Sequence, residues 1–359
     1  MIETILSLPQ LPGGAVRLVG WVAQAGRNLQ RGEPLCLIEQ AGRVRDLPAL
    51  RDGVLCRTLA IPGQTLTGGA LLAVLGTPAT ASTEAWSGDV VVSHGSLHVD
   101  RWATSAAAPR GICLLLHGFA GSLETWGGTA AALGADGFVA VAPDLPCHGR
   151  TRADAPSVQA IATLLESAWN EVIGSGALGA ALPAHLVGHS MGGAVAVLLA
   201  AARPDRIASL TLIAPIGFAR VLNKEFMAGV LDARDRAGLG AALRPLTART
   251  MPQDDAALDV MLTMLSQHRL ALQELLAGMS NGERQLFDLA PVLAEIDVPI
   301  RLIFGNADAV LPWDGFVPAP HIPVHRLSCG HMPHWEQPGI MRHLLAQRDW
   351  QPRIEAVRS

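Results

Sequence analysis

The sequence predicts an α/β protein in two parts, a small all-β unit followed by a larger unit in which strands alternate with helices. Three observations carry this. Up to residue 76 the apolar segments are short, punctuated by glycine and free of any sustained helical period. From about residue 88 strand-like and helix-like runs alternate, the pattern of a mostly parallel sheet covered on both faces. Between residues 217 and 292 a long helical stretch interrupts that alternation and is expected to form a lid. The expected organisation is therefore a β unit over 1–76, a linker over 77–87 and an α/β unit over 88–359.

In the first unit the strand candidates are AVRLVGWVAQAG, PLCLIE, GVLCRTLAIPG and ALLAVLG. The unit also repeats itself, with strand, glycine, loop, glycine, strand around Gly26 and Gly32 and again around Gly63 and Gly69. Two like halves suggest a flattened barrel with internal two-fold symmetry. GTPATASTEAWSG has linker composition. Beyond it, VVVSHGSLHVD, GICLLLHGF, FVAVAPDLP, AHLVGHS, SLTLIAP, IRLIFGNAD and PVHRLSCGH read as strands. SVQAIATLLESAWNEVI and GGAVAVLLAAARP read as helices, and EFMAGVLDARDRAG and ALDVMLTMLSQHRLALQELLAGM supply the lid.

A length of 359 residues suits two domains, and with half its residues apolar and 16% charged the chain can bury a sizeable core. The net charge of −4 and the scatter of single arginines argue against nucleic acid or an anionic membrane surface as partner. Lys224 is the only lysine. Five cysteines without CxxC spacing indicate reduced thiols. The start MIETILSLPQLPGG lacks the features of a signal peptide, and no apolar run reaches the roughly 18 residues of a spanning helix. A cytoplasmic location is the expectation.

The chemistry concentrates in HLVGHSMGGAVAVLLAA. A buried strand runs into Gly188-His189-Ser190-Met191-Gly192 and then a helix, the context of a nucleophile elbow. The sharp turn needs small flanking residues, and the helix presents its positive end to developing negative charge. A serine needs a base, and the base needs an orienting acid. His331 in LSCGHMPHWEQP and Asp308 in LIFGNADAVLP stand at late strand ends and supply them. His117-Gly118-Phe119, after the first buried strand, has the form of a loop that donates a backbone N–H to an oxyanion, from Phe119. Met191 would donate the second.

Other signals weigh less. GSGALG at 174–179 matches GxGxxG but lies between helix and strand, the reverse of a dinucleotide site. Twelve histidines show no metal-ligand spacing, so no metal is expected. Asp144 is a reserve candidate for the acid. Nothing in the sequence gives Cys147 a base. His334 competes with His331 for the role of base, with Gly330 favouring His331, and His189 reads as an elbow-packing residue.

Taken together, HGF, DLPxHGR, GHSMGG, GNAD and GHMPHWEQP resemble the α/β-hydrolase family over residues 88–348. The front 76 residues resemble a biotinyl/lipoyl domain through Trp21, Gly26, Gly32, Glu39, Gly53, Gly63 and Gly69. The pairing is similar to the dihydrolipoamide acetyltransferase subunit of acetoin dehydrogenase complexes. That resemblance implies an acyl group handed from a lipoyl lysine to coenzyme A. Here the lysine is missing: counting from Glu39 puts Gly42 at its position, and arginine nearby cannot form the amide. No covalent lipoyl or biotin cofactor is expected.

The expected function is a serine-dependent acyl hydrolase acting on a small ester or thioester through Ser190, His331 and Asp308. The alternative is an acyltransferase with coenzyme A or another thiol as co-substrate, within a 2-oxoacid or acetoin dehydrogenase-type complex. A non-enzymatic scaffold of such a complex is the third reading. The lid's apolar residues (Phe226, Met227, Leu231, Met261, Met264, Leu265) suit an acyl substrate, and at helical spacing suit core packing better.

Overall fold

A computed structural model describes the chain apart from residues 1–2, 10, 24–27, 30, 51–52, 77–84, 103–108, 174–181, 250–254, 283, 314–315 and 347–359. It divides into two compact units, Met1–Ser82 with Pro338–Arg342, and Thr83–Gln337 with the residues from His343 onward.

The front unit contains β1 (Glu3–Ser7), β2 (Val16–Trp21), β3 (Asn28–Leu29), β4 (Pro34–Gln40), β5 (Arg43–Pro48), β6 (Gly53–Thr58), β7 (Thr65–Leu66) and β8 (Leu71–Gly76). They make two four-stranded antiparallel sheets, ordered β1-β8-β6-β3 and β5-β4-β2-β7. Alternation does the work expected of it: in β2, Val16 and Leu18 are buried while Arg17 faces out and pairs with Glu39 of β4. Leu18, Leu35, Ile38, Leu55 and Leu72 are fully buried in one cluster. The sequence repeat is visible in the hydrogen bonds. Leu35 O accepts from Val22 N and Ala23 N, and Leu72 O accepts from Leu59 N and Ala60 N. Gly32 N and Gly69 N each donate over 2.8 Å, with φ of +96° and +88°. Gly26 lies outside the described residues.

The β4–β5 hairpin closes through Ala41 and Gly42, at φ +50° and +74°, with Gln40 opposite Arg43. Positive φ at both central residues is the primed turn whose twist matches its strands.

The large unit begins with an antiparallel hairpin, β9 (Ala85–Val92) and β10 (Gly95–Trp102). VVVSHGSLHVD is thus not one strand, because the chain turns back at Ser93 and His94, and Gly95 pairs with Val92. Residues 85–87, expected in the linker, already belong to β9; the rest of the expected linker lies outside the described residues. There follow β11 (Ile112–Leu116), α1 (Gly127–Ala135), β12 (Val139–Pro143), α2 (Val158–Ser167), α3 (Trp169–Ile173), β13 (Ala184–His189), α4 (Met191–Ala202) and β14 (Ile207–Ile213). SVQAIATLLESAWNEVI forms α2 and α3 with a break at Ala168; Ser157 caps α2 by accepting from Ala160 N. The segment expected to form a lid holds α5 (Lys224–Asp232), α6 (Arg236–Ala242), α7 (Asp255–Met279) and α8 (Ala290–Ala294). EFMAGVLDARDRAG is split between α5 and α6 because Asp235 turns out of the helix and caps the next one. After the lid come β15 (Ile300–Gly305), β16 (Val324–Leu327), α9 (Pro333–Glu336) and α10 (Pro338–Ala346).

The sheet order is β16-β15-β14-β13-β11-β12-β10-β9, parallel from β16 to β12. Every residue of β11, β12 and β15 is buried, as parallel strands covered on both faces require. Chain progression reverses at β11, since β12 lies on one side of it and β13 on the other. The loops leaving the carboxyl ends of β11 and β13 therefore diverge and leave a crevice, the place where open α/β sheets bind ligands.

Candidate active site

Ser190 stands between β13 and α4 with φ +53° and ψ −117°, a strained conformation for a residue with a Cβ. Its backbone is held on both sides: its N–H donates to Ile213 O over 2.9 Å, and its carbonyl accepts from Gly193 N and Ile216 N. The neighbours must be glycine for reasons of space. A Cβ on Gly188 would run into Gly192 O and Gly193 Cα, and one on Gly192 into the carbonyls of Leu116 and His117. The sequence thus forces an elbow that lifts the Ser190 side chain out of the sheet.

His331 and Asp308 come together from the loops after β16 and β15. His331 Nδ1 lies 2.7 Å from Asp308 Oδ2, and both are buried. A carboxylate accepts, so Nδ1 carries the hydrogen and Nε2 is left as the basic nitrogen. Asp308 is itself fixed, because its Oδ1 accepts from Val310 N (2.9 Å) and Leu311 N (2.8 Å). His189, beside Ser190, donates from Nε2 to His331 O over 2.9 Å, and the two rings lie 4.7 Å apart. The elbow and the His331 loop are tied together by that bond. Among the described residues no hydrogen bond joins Ser190 Oγ to His331, a contact that in enzymes without substrate is often long.

His334 does not compete for the base. Its ring is stacked on Trp126 at 4.6 Å and buried, and neither nitrogen has a hydrogen-bond partner among the described residues. Burial first, then the charge of a protonated His331, pushes its pKa down to about 3, so it stays neutral. Asp144 does not meet His331: its carboxylate accepts from Leu123 N and Arg150 N, each over 2.8 Å, and staples loops together. Cys147 is buried, its thiol pushed up to about 11 by that burial.

Sequence reasoning missed a clasp between the two loops at the carboxyl edge. His117 donates from Nδ1 to Gly118 O and accepts Leu145 N–H on Nε2, over 2.8 and 2.9 Å. His148 donates from Nδ1 to Pro146 O and accepts Ala120 N–H on Nε2, over 2.8 and 3.0 Å. Each ring needs a bare Nε2, and burial holds both below the ordinary imidazole pKa. The clasp fixes Ala120 at φ +55°. The backbone N–H groups of Phe119 and Met191 have no hydrogen-bond partner among the described residues. The signal for the clasp was HGF and DLPCHGR, but only the fold shows that they touch.

A small apolar cavity lies against Ser190, with Phe119, Met191, Leu222, Met227 and Gln285 in its wall. At about 10 Å³ it has room for about one water. Of the six apolar residues of residues 217–292 singled out from the sequence, Met227 lines it, and the others pack as helical spacing suggested. Phe226, Leu231, Met264 and Leu265 are buried in the core, with Met261 packed against it. Among the described residues no group of side chains is arranged to hold a metal, and no helix is long and apolar enough to cross a membrane.

An eight-stranded sheet with a serine at the elbow and a buried Asp–His pair across from it defines a class, and the comparison with known families agrees. The model of the alpha/beta hydrolase family matches residues 113–342, and the chain belongs to that family. Over 352 residues it is 30% identical to the dihydrolipoyllysine-residue acetyltransferase component of the acetoin cleaving system of Pseudomonas putida, covering 88% of this chain and 90% of that one. Lipase LipV of Mycobacterium tuberculosis is 40% identical over 124 residues, 33% of this chain and 41% of the lipase. The crystal structure of carboxylesterase CesB from Bacillus subtilis shares the fold, with a TM-score of 0.57 at 19% identity over 74% of this chain and 91% of that one.

Proposed function

We propose that the protein is a serine-dependent acyl hydrolase that works through an acyl-enzyme. Ser190 Oγ attacks the acyl carbonyl of an ester or thioester, and His331 Nε2 takes its proton. Asp308 fixes the tautomer and steadies the imidazolium. The N–H groups of Phe119 and Met191 receive the oxyanion. His331 then returns the proton to the departing alcohol or thiol, and water, deprotonated by His331, releases the acyl group. The observation that carries this reading is the strained Ser190 elbow, tied by His189 to a His331 that Asp308 orients.

A second reading replaces water by a thiol such as coenzyme A. It is favoured by the similarity to the Pseudomonas putida acetyltransferase component, which runs along most of the chain. On either reading the front unit is a carrier-type, lipoyl-like β fold with no attachment lysine, kept as a structural or docking element over about residues 1–76. Membership of a 2-oxoacid or acetoin dehydrogenase-type complex would supply the arm from another protein.

A fluorophosphonate probe tests the common part: it labels the wild type, and Ser190→Ala abolishes labelling. Labelling that survives the substitution would sink the proposal. Partitioning of the acyl-enzyme between water and coenzyme A then separates the two readings.

A further inference from the structure

The residues that wall the cavity against Ser190 are of two kinds. Those of the first kind are held to the elbow, the clasp or the loop that carries Asp308. Ile216 donates its N–H to Ser190 O over 3.2 Å, and Phe119 lies edge-on to His148 of the clasp, with 6.1 Å between ring centres. Leu222 precedes Asn223, which donates from Nδ2 to Ala309 O (2.7 Å) and from its backbone to Val310 O (3.0 Å). Gln285 is engaged at both ends of its amide. Its Oε1 accepts from Gly217 N over 2.5 Å, and its Nε2 donates to Val221 O over 3.2 Å.

Met227 and Met279 are of the second kind. Met227 comes from α5 and Met279 is the last residue of α7, and the two are 3% and 2% exposed. Their side chains reach the cavity through packing. An unbranched thioether with three rotatable bonds fills an irregular gap to its own length. Both residues belong to the main core, and a close-packed core does not yield room for further methylenes without strain.

We propose that Met227 and Met279 set the length of the acyl group that the Ser190 site accepts, ending it at about a methyl substituent. The inference rests on the acyl-enzyme reading above. On that reading the oxyanion lies at the N–H groups of Phe119 and Met191, both wall residues, so the acyl substituent falls in the same cavity. At about 10 Å³ the space takes a group about the size of one water. A methyl fits, whereas the two further carbons of a butyryl chain need volume that the thioethers fill. Truncation of either Met to Ala removes Cγ, Sδ and Cε and opens that volume.

The p-nitrophenyl esters of acetate, butyrate and hexanoate share one leaving group and test this. In the wild type kcat/KM falls by about tenfold for each carbon added between acetate and butyrate. In Met227→Ala and in Met279→Ala the butyrate-to-acetate ratio rises by about tenfold. General damage lowers both esters alike and leaves the ratio where it was. Wild-type kcat/KM as high on hexanoate as on acetate overturns the proposal, whether or not the variants fold. A ratio that stays put in either variant overturns the assignment of that residue. Met227→Val and Met279→Val keep a buried apolar group and carry the same comparison if a truncation to Ala unfolds the chain. Ser190→Ala is run beside them: turnover surviving that change defeats the acyl-enzyme reading, whereas unmoved ratios with Ser190→Ala inactive defeat only the length limit.

Discussion

His189 Nε2 donates to His331 O over 2.9 Å, so the residue before the serine holds the loop that carries the imidazole paired with Asp308. Two segments far apart in sequence are thereby fixed to each other by one buried bond, and the position of His331 over the elbow depends on it. His189→Phe keeps a ring in contact and removes the donor. We expect kcat on p-nitrophenyl acetate to fall by about 10- to 100-fold with KM little changed, the cost of a displaced base. Wild-type kcat in the variant would show that the bond does not position His331.

Asp308→Asn keeps the shape of the acid and removes its charge. The amide can present a donor to His331 Nδ1 and favour the wrong tautomer, so kcat is expected to drop by about 10⁴-fold. Circular dichroism of the variant should remain that of the wild type. A loss of less than tenfold would point to another acid.

Stability should decline on mild acidification because of four buried neutral histidines. Burial lowers the pKa of His117, His148 and His189, and of His334 to about 3. In the unfolded chain each titrates near 6.5. Below about pH 6.5 the unfolded state therefore binds protons that the folded state does not, and stability falls as pH falls. Each histidine contributes a slope of roughly 1.4 kcal/mol per pH unit, continuing toward its folded pKa. Urea unfolding midpoints should drop between pH 7.5 and pH 5; a constant midpoint would contradict the buried neutral rings.

The β4–β5 turn should carry no cofactor. Gly42 sits at φ +74°, at the position that the count from Glu39 assigns to a lipoyl lysine, and the neighbouring residues are Ala41 and Arg43. Intact mass of the protein from cells competent in lipoylation should equal that of the bare chain. Any lipoyl adduct would overturn the register drawn from Glu39.

Much of this molecule was legible from the chain. The elbow was readable because its constraint is local: a buried strand, small residues around Ser190 and an apolar helix follow one another without a gap. The α/β alternation was readable for the same reason, each strand announcing itself by a run with no polar face. Local patterns failed where a short turn redirects the backbone, as Ser93 and His94 do in making one expected strand a hairpin, or as Asp235 does in starting a new helix. The apolar residues between 217 and 292 pack against the core as their helical spacing suggested, and which one also reaches the cavity, Met227, was not legible, because a helix buries the same side chains against a core as against a substrate.

By itself the sequence determined the α/β alternation, the family and the elbow around Ser190, whose backbone geometry is set by adjacent residues, and it nominated Asp308 and His331 among competing candidates. Tertiary structure alone decided that Asp308 rather than Asp144 meets His331 and that His334 is a packed neutral ring. It also decided that His117 and His148 clasp the loop of Phe119. The physical reason is one and the same. These are contacts between segments that the divergence of the strands around β11 brings to one edge of the sheet, and no local pattern encodes which of them will touch.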